Sequence, residues 1–110
     1  NDLYGHELGD TVLRDVARAM AGCVRAYDLL VRLGGDEFVV LLPDAGPAEA
    51  AVMMARLRDC VARVASDRGL AGTPGLSVSI GLAVHAPGEP IDDLVRRADA
   101  AMYAAKRGDT

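Results

Sequence analysis

Gly34-Gly35-Asp36-Glu37 places two carboxylates directly after two glycines, between apolar stretches rich in β-forming residues. Leu29 to Leu33 leads in, and Phe38-Val39-Val40-Leu41-Leu42 leads out and is closed by Pro43. The pattern predicts a β-hairpin with acid groups at its tip. Carboxylates are hard oxygen donors suited to Mg²⁺, and Mg²⁺ suits nucleotide phosphates. Glycines at such a tip permit positive φ and let a phosphate or another backbone come close. Alternation along a strand sends Asp36 and Glu37 to opposite faces, so one ion held by both requires a kink at the turn. The same residues also suit an ordinary solvated turn.

The elements that must position this tip are legible from periodicity. A helix starting at Gly9 or Asp10 is predicted to end near Arg25 to Tyr27, with Leu13, Val16, Ala17, Met20 and Val24 at helical spacing and Asp10 capping its start. After Pro43, the loop Asp44-Ala45-Gly46-Pro47 opens a second helix, about Ala48 to Arg68. Its inward stripe is Ala50, Met54, Leu57, Val61 and Val64, while Arg56, Arg58, Asp59 and Arg63 face water. Leu76 to His85 alternates as a strand: Val78, Ile80, Leu82 and Val84 on one face, Ser77, Ser79, Gly81 and Ala83 on the other. The small face admits a helix or ligand at close range. A last helix covers about Ile91 to Lys106, with Leu94, Val95, Ala98, Met102 and Ala105 inward. Helices on a largely antiparallel sheet make an α+β layered domain.

The 110 residues are 51% hydrophobic, enough for one domain, residues 1–110, with one core. A formal net charge of −4 argues against an electrostatic nucleic-acid binder. Cys23 and Cys60 sit in helical apolar patterns and are expected as buried thiols, which points to a reducing cytoplasmic setting. The segment carries no membrane-length apolar run. It begins at Asn1 without an initiator methionine, as a piece of a longer protein would, and a membrane anchor in the parent stays open.

Gly34-Gly35-Asp36-Glu37-Phe38 resembles the signature of the GGDEF family of diguanylate cyclases. Asn1-Asp2-Leu3-Tyr4-Gly5-His6-Glu7-Leu8-Gly9-Asp10 is similar to the family's NDxxGHxxGD segment, and Ala98 to Lys106 to its closing ADxAMYxAK segment. The resemblance implies that Asn1 and Asp10 read guanine and that His6 lies near the nucleotide. It implies that Asp36 is catalytic and binds Mg²⁺, with Glu37 beside it in the metal shell, two ions per site. Gly34 and Gly35 would leave room for the triphosphate, and Lys106 would contact phosphates. Arg25-Ala26-Tyr27-Asp28 matches the RxxD motif through which many such enzymes bind their product, cyclic di-GMP, so Arg25 and Asp28 are expected as an inhibitory site.

The implied activity is condensation of two GTP into cyclic di-GMP with release of pyrophosphate, by a homodimer whose subunits each hold one GTP. The implied fold is ferredoxin-like or palm-type, here truncated at the N-terminus: the family's first strand, which is central and carries a metal-binding aspartate, lies upstream of Asn1. Its loss is expected to expose ladder groups on two neighbouring strands, to leave a trough in the core, and to give a fragment that folds poorly or self-associates and makes no product. The family's later arginine has no counterpart in Arg107-Gly108-Asp109-Thr110. The alternative is a non-catalytic module that binds cyclic di-GMP or GTP.

Overall fold

The computed structural model describes residues 5–69 and 78–107, and side chains from residue 11 onward within them. The order is α1 (Gly5–Ala21), β1 (Leu29–Gly34), β2 (Glu37–Leu42), α2 (Pro47–Asp67), β3 (Ser79–Val84) and α3 (Ile91–Arg107). The α+β class and the element sequence are those expected. β1 and β2 form the antiparallel hairpin, with Leu30 opposite Val40. β3 joins β2 in parallel, Phe38 opposite Ile80 and Leu42 opposite Val84, so the sheet runs β1-β2-β3.

The ladder groups expected to be exposed on neighbouring strands are joined here: β2 and β3 pair directly along their whole length. The composition of β2 explains why it tolerates the centre. Its residues from Phe38 to Leu42 are all buried, as a strand covered on both faces requires. Phe38, Val40 and Leu42 face one cluster with Val12, Val16 and Met20 of α1 and Met53, Leu57 and Cys60 of α2. Val39 and Leu41 face the other, with Leu94, Ala98 and Met102 of α3. Complete burial of a side chain such as Phe38 contributes about 1.5–3 kcal/mol.

β3 carries out its predicted division of faces. Ile80, Leu82 and Val84 pack toward α1 and α2. On the other side α3 lies against the backbone of Gly81: a Cβ there would stand 2.1 Å from the Ala98 carbonyl oxygen. The small face predicted from sequence is therefore a helix seat.

Three expectations need correction. α1 already includes residues 5–10, so Asp10 is inside the helix and cannot be its cap, and the helix stops at Ala21, before Gly22. Its buried line is Val12, Val16 and Met20, a strict four-residue repeat, with Leu13 and Ala17 half-buried beside it. Cys23 and Cys60 are joined as a disulfide across 37 residues, where separate thiols were expected. Cys23 sits in the turn just past α1 and Cys60 on the buried face of α2, and the packing of α1 against α2 brings the two together.

α2 begins with Pro47 in its first turn, and the Glu49 carboxylate accepts the Gly46 N–H at 2.8 Å. An Arg68–Asp15 ion pair ties α2 back to α1. Between β3 and α3, Glu89 accepts two bonds from the Arg97 guanidinium, at 2.8 and 2.7 Å. Arg97 also donates to the Val84 carbonyl at 2.5 Å. The Arg97 guanidinium, with the Ala86 N–H donating to the same carboxylate, holds the Glu89 carboxyl down, from 4.5 to about 2.

Candidate functional site

The hairpin tip is fastened on two sides before any functional side chain is considered. Arg32 reaches forward and donates from Nε to the Gly35 carbonyl at 2.9 Å, closing the turn. The Asp36 carbonyl accepts the Ser79 N–H at 2.9 Å, so β3 grips the main chain of the acid itself. The ladder shifts register between Arg32 and Gly34, which gives the tip its kink. Neither tip glycine has positive φ; among the described residues only Gly69 and Gly88 do. Their use is space. A Cβ on Gly34 would lie 2.7 Å from Glu37 Oε1, while Gly35 faces open room.

Glu37 starts β2 on the face shared by Val39 and Leu41, the face covered by α3. On α3, Leu94, Ala98 and Met102 recur every four residues along the buried line, and Lys106 is the next position. The two patterns converge: Lys106 Nζ donates to Glu37 Oε2 at 2.6 Å across 69 residues of sequence. That bond, with the charges of Glu37 and Asp36, raises the Lys106 ammonium above its ordinary range. Asp36 is half-buried beside the pair. Thus Gly34, Asp36, Glu37 and Lys106, predicted as parts of one site, stand together. Asn1 lies outside the described residues, and so do the side chains of His6 and Asp10.

Among the described residues no three His, Cys, Asp or Glu side chains gather into a metal cluster. Asp36 and Glu37 are the two carboxylates at the tip that could hold Mg²⁺, Glu37 while also accepting from Lys106. Mg²⁺ is commonly held by one or two carboxylates together with substrate phosphates, so this donor set suits one ion with a bound triphosphate.

A second constellation lies at the start of β1. The Arg25 guanidinium grips Asp28 through Nε (2.9 Å) and Nη2 (2.8 Å), and Nη1 donates to the Asp44 carbonyl at 2.8 Å. The Arg25 N–H also donates to Asp28 Oδ2 at 2.8 Å. Burial works to raise the Asp28 carboxyl, but the side-chain and backbone bonds from Arg25 outweigh it and leave it lowered. The Asp28 carboxylate has no solvent exposure. Tyr27 stacks under the guanidinium, 4.5 Å from ring centroid to Cζ. Three of the five guanidinium N–H groups are used, leaving one on each Nη.

Arg25 opens onto a cavity of about 300 Å³ lined also by Leu42, Glu49, Val52, Met53 and Arg56. Arg56 is exposed, as the helical pattern indicated, and it also lines this cavity; the periodicity does not distinguish its position from that of Arg58 or Arg63. Arg32 was missed, although an arginine three residues before the second glycine is well placed to close a turn.

The family profile "Diguanylate cyclase, GGDEF domain" matches residues 1–110. The chain belongs to the GGDEF-domain family. It is 47% identical over 107 residues to the diguanylate cyclase DgcM of Escherichia coli, covering 96% of this chain and 25% of that protein. It is 43% identical over 108 residues to the bifunctional diguanylate cyclase/cyclic di-GMP phosphodiesterase MucR of Pseudomonas aeruginosa, covering 96% and 15%. Against the response regulator PleD of Caulobacter vibrioides the identity is 40% over 111 residues, covering 96% and 24%. The chain thus spans a quarter or less of the length of these relatives. No solved structure matches it. Among the described residues no helix is long and apolar enough to cross a membrane.

Proposed function

We propose that the chain is the GTP half-site of a diguanylate cyclase, which condenses two GTP into cyclic di-GMP and releases pyrophosphate as a homodimer. The observation that carries this reading is the meeting of Lys106, Glu37 and Asp36 at the hairpin tip. It brings the family's signature and closing segments together, although they lie far apart in sequence. Lys106 supplies a compact positive charge for the triphosphate. Gly35 leaves the tip open to it. Asp36 would hold Mg²⁺ together with the triphosphate, and the bound ion would supply charge neutralisation and a more acidic attacking hydroxyl. A second ion, which the family resemblance implies, needs a further donor. Asn1, His6 and Asp10 form the guanine end of the proposed site. The cytoplasmic location is proposed from the use of GTP alone, because the Cys23–Cys60 disulfide removes the argument from free thiols.

Asp36→Ala in the full-length protein, assayed with GTP and Mg²⁺, is expected to lower cyclic di-GMP formation at least about 100-fold with the fold intact. Product formation at the wild-type rate removes Asp36 from the chemistry.

A second site, for inhibitory product, is favoured by a separate observation: Arg25, locked by the fully buried Asp28 carboxylate, opens onto a cavity that also holds Arg56. Two guanidinium groups suit the acceptor edge of guanine and the phosphates of a cyclic dinucleotide. If the acids of the tip do no chemistry, this cavity is where a purely receptive module would bind its ligand.

A further inference from the structure

We infer that Glu37 is a positioning residue: it holds the Lys106 ammonium over the hairpin tip for the incoming triphosphate. The inference deepens the proposed GTP site and rests on that reading. Both oxygens of the Glu37 carboxylate already have a place. Oε1 lies over Gly34, in the room left by the absent Cβ, and Oε2 accepts from Lys106. Strand alternation points Glu37 at the α3 face, and the four-residue line through Leu94, Ala98 and Met102 delivers Lys106 to the same point. Lys106 is about half exposed, at 45%, on a flexible stem at the end of its helix, and unrestrained it would sample many rotamers. An ammonium has three donors. One goes to Glu37, and two remain for phosphate oxygens, so the latch and the triphosphate can share the cation.

Electrostatics alone gives the opposite expectation, which makes the test sharp. Removing the Glu37 charge makes the tip more positive and by itself should strengthen triphosphate binding. If positioning dominates, binding weakens. In the full-length protein, Glu37→Gln is expected to raise the KM for GTP about tenfold, with kcat within about threefold. Lys106→Gln should do the same, and the double variant should be no worse than the poorer single. Titration with inorganic tripolyphosphate and Mg²⁺ reads the latch without turnover, and Glu37→Gln should weaken it about tenfold, tracking KM.

A fall in KM or multiplying effects of the two variants would each overturn the inference. If the wild type makes no cyclic di-GMP yet loses tripolyphosphate binding on Glu37→Gln, the cyclase reading fails and the latch stands. If it makes product while Glu37→Gln leaves KM and tripolyphosphate binding untouched, the latch fails and the cyclase reading stands.

Discussion

Gly81 and Gly34 are both glycines because something else fills the space of a side chain, yet the two regions respond to intrusion differently. Beneath α3, a Cβ on Gly81 would meet main-chain atoms, the Ala98 carbonyl oxygen at 2.1 Å and the Met102 nitrogen at 2.5 Å. Those atoms move only if the helix moves. At the hairpin tip, a Cβ on Gly34 would meet the far end of one glutamate. That end can rotate away. The first region is built of buried apolar contacts and fixes the frame; the second is built of charges at the surface and can adjust to a ligand.

The strongest way to break this contrast is Gly81→Ala. It is expected to cost about 3 kcal/mol or more, because overpacking here pushes on backbone. A denaturant titration checks it, and a loss below about 1 kcal/mol would mean that α3 floats on its seat. Arg25→Ala should weaken cyclic di-GMP binding at least about tenfold in calorimetric titration while leaving GTP turnover intact, since the cavity stands apart from the tip. Gly34→Ala should change stability by less than about 0.5 kcal/mol but raise the KM for GTP a few-fold. In a Glu37→Ala background that KM penalty should vanish, and its persistence would show that Gly34 makes room for the triphosphate itself.

The smallest expected effect concerns the loop that carries α3 away from the sheet. The Glu89 carboxyl is lowered from 4.5 to about 2, chiefly by Arg97, so its contribution is present above pH 4.5 and is lost as pH falls toward 2. The Tm of the wild type should therefore drop more between pH 5 and pH 2.5 than that of Glu89→Gln, with the difference shrinking in high salt. Equal slopes would show that the Arg97 bridge adds nothing to the frame.

Much of the frame was legible in the sequence because it follows from period and side-chain size. The hairpin around Gly34 and Gly35 and the helices after Pro47 and Ile91 are where local pattern puts them. The small face of β3 announced a close neighbour, and α3 is that neighbour. The strand order was not legible: pairing of β2 with β3 depends on which edges meet in space, and alternation records only faces. The start of α1 was misread because Gly5 and Gly9 look like loop residues, although a helix can run through both. The disulfide was unreadable for a similar reason, since Cys23 and Cys60 belong to separate segments that only docking brings together. At the tip, residue types indicated the chemistry and not the contact. The continuation of the α3 line from Met102 to Lys106, with Glu37 on the α3 side of β2, contained the ion pair for a reader who superposed the two periods.

The grip of Ser79 on the carbonyl of Asp36 separates shape from reactivity at one residue. Main chain does the fastening, and the carboxylate can be exchanged without loosening a strand. On the proposed cyclase reading, one missense change there would silence synthesis and spare the scaffold, including the arginine-lined hollow on its flank. On that same reading, a duplicated gene would stand one mutational step from producing the messenger to receiving it.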